Sequence, residues 1–184
     1  MKVIIVHGAY GGPEENWLPW LKSVLESSGF EVFVPKFPTP ENQNLENWME
    51  ILNGYEKYFD SDLVMVGHSL GPALILRKLE TLDMPIKATF LVAGFLGKIG
   101  NPDFDGINSS FFGKEFNWEN IRKNCKHFEV FHSDNDPYVS LDHGKKIAEN
   151  LGVELTLIKG AGHFNKQAGY TEFPLLLNRI KELI

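Results

Sequence analysis

"LVMVGHSLGPALIL", residues 63–76, begins as an apolar run and ends as one. Between the two stands Ser69, with Gly67 two places before it and Gly71 two places after. The first run has the length and unbroken apolarity of a buried strand. The second has helical spacing, and its Pro72 suits a first helical turn, where a missing N–H costs little. A serine at the apex of so sharp a strand-to-helix turn is forced into a strained backbone conformation. Side chains two positions away on either side would collide, and both positions are glycine. The turn lifts the hydroxyl clear of the sheet edge and aims the N–H groups of the following helix at whatever reacts there.

Reading outward from this turn, short apolar runs predict strands over 3–6, 31–34, 63–66, 88–92, 127–131 and 154–158. Amphipathic segments predict helices over 16–28, 45–58, 72–82, 118–124, 141–151 and 173–184. Residues 94–117, rich in Gly, Asn, Ser and Phe, read as a long loop. Strands that alternate with helices, and are apolar throughout rather than at every second residue, belong to a parallel sheet covered on both faces. The expectation is an α/β three-layer sandwich of about six parallel strands, a single domain over 1–184. In such sheets functional groups gather at the carboxyl ends of the strands.

The 24 acidic and 18 basic residues leave a formal net charge of −6, with no Lys/Arg cluster, so nucleic acid is not an expected partner. No apolar run approaches the roughly 20 residues that span a bilayer, and "MKVIIV" is too short for a secretion signal, so no membrane association is expected. One cysteine, Cys125, allows no internal disulfide; a cytoplasmic setting follows as the expectation.

A serine hydroxyl needs a base to become a nucleophile. Of the six histidines, His163 in "KGAGHFN" follows the sixth strand at the correct end of the sheet, in a loop whose glycines let it bend back over Ser69. His68 would point the wrong way out of the turn and reads as a packing residue or one that supports the site from behind, and His7 as an organiser of the loop after the first strand. His132 reads as a strand-end residue, while His127 and His143 read as surface residues. The base needs an orienting carboxylate. "SDNDPYV" offers Asp134 and Asp136; Asp136, directly before Pro137, is the expected partner, with Asp134 a turn former. An oxyanion would be held by the backbone N–H of Leu70 and by one from "HGAYGG", with Ala9 the expected donor and Tyr10 the alternative. The same glycine loop lacks the Gly-Lys-Ser/Thr ending or G-x-G-x-x-G spacing of a nucleotide site.

With "HGAYGG" go "NWLPWL", "FPTP", "VGHSLGPA", "FNWENIRKNC", "SDNDPYV" and "GAGHFN". Together these pieces resemble the small, lid-less α/β-hydrolases of the retinoblastoma-binding protein nine-like serine hydrolase family, and the resemblance covers nearly the whole chain. It implies a reduced α/β-hydrolase fold and a triad that falls on Ser69, Asp136 and His163. The expected activity is serine hydrolysis of small carboxylic esters or amides, with no metal or organic cofactor and a small molecule as substrate; no protein partner is assigned. Residues 94–117 are too short for a large helical lid, and their Phe111 and Phe112 are candidates for the wall of a substrate pocket. The rival is a non-catalytic interaction module on the same scaffold, against which stands the retention of all three triad residues and both glycines.

Overall fold

The computed structural model describes residues 1–183. Six parallel strands form one sheet: β1 (Lys2–Val6), β2 (Glu31–Phe33), β3 (Leu63–His68), β4 (Ala88–Val92), β5 (Phe128–Ser133) and β6 (Leu155–Ile158), in the order β2-β1-β3-β4-β5-β6. The helices are α1 (Leu18–Ser27), α2 (Leu45–Asn53), α3 (Gly71–Leu79), α4 (Pro102–Ile107), α5 (Ser109–Phe112), α6 (Trp118–Lys123), α7 (Leu141–Leu151) and α8 (Pro174–Lys181). This is the expected α/β-hydrolase fold. Among the described residues no helix is long and apolar enough to cross a membrane.

Alternate residues of each central strand feed opposite layers. Ile4, Val6, Met65, Leu91 and Val130 pack with Trp48, Leu52, Leu74, Ile121 and Ile147 beneath α2, α3, α6 and α7. Val3, Ile5, Val64, Val66, Phe90 and Phe131 pack with Trp17, Leu21, Leu25, Leu176 and Ile180 beneath α1 and α8. The chain steps from β1 to β2 across one face, by α1, and returns to β3 across the other, by α2. Right-handed crossovers require that change of face when the direction of travel reverses. The reversal leaves a crevice at the carboxyl ends of β1 and β3, the usual place for a ligand in an open α/β sheet.

Several bounds differ from expectation. The helix predicted over 45–58 ends at Asn53, with a 3₁₀ turn at Glu56–Tyr58. The last helix closes at Lys181, and residue 184 lies outside the described residues. Strands β3 and β5 run two residues further than predicted, to His68 and Ser133, because those polar residues are still paired in the sheet.

The largest departure is 94–117, which is not a plain loop but contains α4 and α5. Asn101 caps α4 by accepting the N–H of Phe104, Pro102 occupies its first turn, and the Asp105 carboxylate accepts the N–H groups of Ile99 and Gly100. Arg77, buried on α3, ties the segment down. Its guanidinium donates to the carbonyls of Phe111 (3.0 Å), Glu115 (3.2 Å) and Lys114, pairs with Glu80 and lies over the ring of Phe116. Donors fixed in one plane suit an array of carbonyls better than an ammonium would.

Candidate active site

The turn after β3 has the form its glycines imply. Ser69 sits at φ +59°, in the left-handed region, with its N–H donating to the carbonyl of Val92 at 2.9 Å. A Cβ on Gly67 would lie 2.7 Å from the nitrogen of Pro72, and one on Gly71 only 2.5 Å from the carbonyl oxygen of Val6. The second glycine is therefore demanded by β1, not by its fellow glycine. A Cβ on Gly8 would lie 2.7 Å from that of Ser69, so the loop after β1 also runs directly against the serine.

Ser69, His163 and Asp136 form a continuous chain. The Ser69 hydroxyl donates to Nε2 of His163 at 3.0 Å, and Nδ1–H of His163 donates to Oδ2 of Asp136 at 2.7 Å. The other carboxylate oxygen accepts the N–H groups of Tyr138 (2.9 Å) and Val139 (3.0 Å). Burial alone would raise the Asp136 carboxyl. The hydrogen bond and charge of His163, with these two N–H groups, outweigh it and hold the group below the ordinary carboxylate range. Asp134 does not reach the imidazole; its Oδ1 accepts the N–H of Gly160 at 2.8 Å.

The loop carrying His163 is held on three sides. Successive N–H groups of Gly160, Ala161 and Gly162 donate to the side chains of Asp134, Ser133 and Asn135, a three-rung clamp between the ends of β5 and β6. From the two residues before α1, Trp17 Nε1–H donates to the carbonyl of Phe164 and Asn16 accepts the N–H of Lys166. Beneath, Nε2–H of His68 donates to the carbonyl of His163 at 2.8 Å. His68 is thus a support, as expected. His7 organises its loop with Nδ1–H on the Gly8 carbonyl and Nε2 accepting the N–H of Phe37, and His132 donates to the carbonyl of Val139. His143, expected at the surface, is half-buried.

Burial lowers the imidazoles of His7 and His132, and lowers His68 to about 3 by burial and by the nearby charge of His163. The unfolded chain takes up a proton on such a histidine near pH 6.5, while the folded chain resists until the lowered value is reached. Stability is therefore whole above about pH 6.5 and falls on acidification, by about 1.4 kcal/mol per pH unit from His68 alone down to its folded value. Urea unfolding between pH 6.5 and 4 should show a slope reduced by about one proton in His68→Gln. An unchanged slope would show that His68 does not contribute.

Leu70 precedes the first residue of α3, and no side chain caps that helix. Among the described residues the N–H groups of Leu70 and Ala9 donate to no protein acceptor, whereas that of Tyr10 is engaged by Thr39 Oγ1 at 2.7 Å. A cleft of about 890 Å³ opens over Ser69 and His163, walled by Ala9, Tyr10, Ile99, Phe104 and Tyr138 among others. The pocket wall expected at Phe111 and Phe112 is not there. Phe111 is 0% exposed, edge-on to Trp48 at 5.3 Å, and Phe112 packs against Phe95 at 5.4 Å. Arg77 holds the Phe111 carbonyl while the Phe111 ring lies in the core, and Phe104 of the same segment faces the cleft.

A hydroxyl on a strained turn, a carboxylate-held imidazole beside it and free N–H groups at a helix start define a class, the serine-dependent hydrolases of the α/β type. The chain belongs to the Serine hydrolase family, whose model matches residues 3–182. It is 29% identical to YdeN of Bacillus subtilis (strain 168), over 95% of this chain and 92% of that one. It is 28% identical to the serine hydrolase RBBP9 of Rattus norvegicus, over 100% of this chain and 95% of that protein. The crystal structure of the B. subtilis ydeN gene product superposes with a TM-score of 0.92, covering 99% of this chain and 97% of the other.

Proposed function

We propose that the chain hydrolyses small carboxylic esters or amides through an acyl-enzyme on Ser69. The observation that carries this reading is the unbroken chain Ser69–His163–Asp136 at the floor of the cleft. Asp136 fixes the imidazole proton on Nδ1, which leaves the Nε2 lone pair to take the proton from Ser69 as its oxygen attacks the substrate carbonyl. The N–H groups of Leu70 and Ala9 stabilise the oxyanion; the engagement of the Tyr10 N–H by Thr39 favours Ala9 over its neighbour. His163 then hands the proton to the departing alcohol or amine. In the second half, His163 takes a proton from water, the hydroxide oxygen attacks the acyl carbon, and the proton returns to Ser69 as the acid leaves.

A fluorophosphonate probe followed by peptide mapping tests the reading without knowledge of the substrate. The expected result is covalent modification confined to the peptide that contains Ser69. A folded chain that does not label, or that labels at another serine, would overturn it.

A further inference from the structure

Tyr10 stands in the left-handed region at φ +56°, a conformation that is strained for a non-glycine residue. It is also 49% exposed, so its ring does not offset that strain by full burial. What holds it is a relay of side chains. The Tyr10 N–H donates to Thr39 Oγ1, the Thr39 hydroxyl donates to Gln43 Oε1, Gln43 Nε2–H donates to Asn108 Oδ1 at 2.6 Å, and Asn108 Nδ2–H donates to the carbonyl of Phe104 at 2.8 Å. Gln43 and Asn108 are buried, where polar side chains are kept only if fully bonded. The relay ends on the backbone of Tyr10 at one side and of Phe104 at the other, and the rings of these two residues lie at the cleft with centroids 5.6 Å apart. Tyr138, 51% exposed, stands edge-on to His163 at 5.2 Å and also lines the cleft. A strained backbone and a buried polar relay thus converge on presenting aromatic faces to the space above Ser69. Tyr10 and Tyr138 are exposed and belong to neither core cluster, while Phe104 is half-buried and also packs on Phe95 at 5.7 Å.

We propose that Tyr10 and Phe104 are specificity-determining residues that form a preset aromatic wall selecting substrates with a planar aromatic group over saturated ones of equal bulk. The inference rests on the hydrolase reading above and adds the substrate class. The aromatic group can belong to the acyl part or to the alcohol part, and two matched pairs of esters distinguish these sources. Methyl 3-phenylpropanoate against methyl 3-cyclohexylpropanoate varies the acyl side. Benzyl acetate against cyclohexylmethyl acetate varies the alcohol side. Stacking on an aromatic face should favour the aromatic member of one pair by roughly 3- to 10-fold in kcat/KM. Phe104→Leu and Tyr10→Leu keep an apolar side chain but remove the ring, and each should bring that ratio toward one.

Binding of the same esters to Ser69→Ala, measured by titration calorimetry, reads the preference without turnover. Failure of the hydrolase reading would appear as absent fluorophosphonate labelling, whereas failure of the wall would appear as equal binding within both pairs. Equal kcat/KM and equal binding within both pairs would overturn the proposal. So would an aromatic preference that survives intact in both leucine variants.

Discussion

Ser69→Ala should lower kcat by about 10⁶-fold, to the rate left by binding and oxyanion stabilisation alone, and abolish fluorophosphonate labelling. The fold should survive. Alanine adopts the left-handed conformation of residue 69 no less readily than serine, and its Cβ occupies the space that Gly8 already leaves for one. The only side-chain bond lost is the one to His163, a neutral contact of about 1 kcal/mol net. Unfolding midpoints near those of the parent chain, together with turnover reduced about 10⁶-fold, are the expected pair of results. That residual stays above the uncatalysed rate in buffer, whereas turnover retained above a tenth of the parent rate would remove Ser69 from the chemistry.

Asp136→Asn should cost about 10⁴-fold in kcat, and Asp134→Asn less than about 10-fold. The difference lies in what each carboxylate faces. Oδ2 of Asp136 accepts the Nδ1–H of His163; an amide nitrogen placed there is itself a donor and favours the tautomer with its proton on Nε2. That tautomer cannot receive the serine proton. Asp134 uses a single oxygen to accept the N–H of Gly160, and asparagine still carries such an oxygen. Steady-state kinetics of the two variants against one ester settles the matter. A greater loss in Asp134→Asn would mean that the two acids had exchanged roles.

The elbow and the sheet are legible in the sequence because each follows from a local rule. Apolar runs of strand length alternate with helical spacing, glycines flank Ser69, and the candidate base and acid each follow a strand that ends on the same edge. Residues 101–112 break no such rule but are too short to display one. Helices of six and four residues hold less than two turns, so no periodicity emerges; only Asn101 before Pro102 hints at a helix start. Phe104, Phe111 and Phe112 are equivalent as letters. Phe111 is the one fully buried, edge-on to Trp48 and with its carbonyl held by Arg77, contacts between residues far apart in the chain. The relay from Tyr10 to Phe104 joins positions 10, 39, 43, 108 and 104, a set that meets only through tertiary packing. The clamp was nearer to view, since "SDN" supplies three consecutive acceptors and "GAG" three consecutive amides, but nothing in either string says that they face each other.

That clamp alters how the molecule comes apart. β6 is an edge strand, bonded to β5 alone, and edges are where a sheet frays first. Here the amides of Gly160, Ala161 and Gly162 extend the pairing past the end of β6 by borrowing side chains in place of a backbone. Fraying of that border should therefore loosen His163 from Asp136 in the same opening event. Amide deuterium exchange at 160–162 and loss of competence toward a serine-directed probe become two readings of a single cooperative unit.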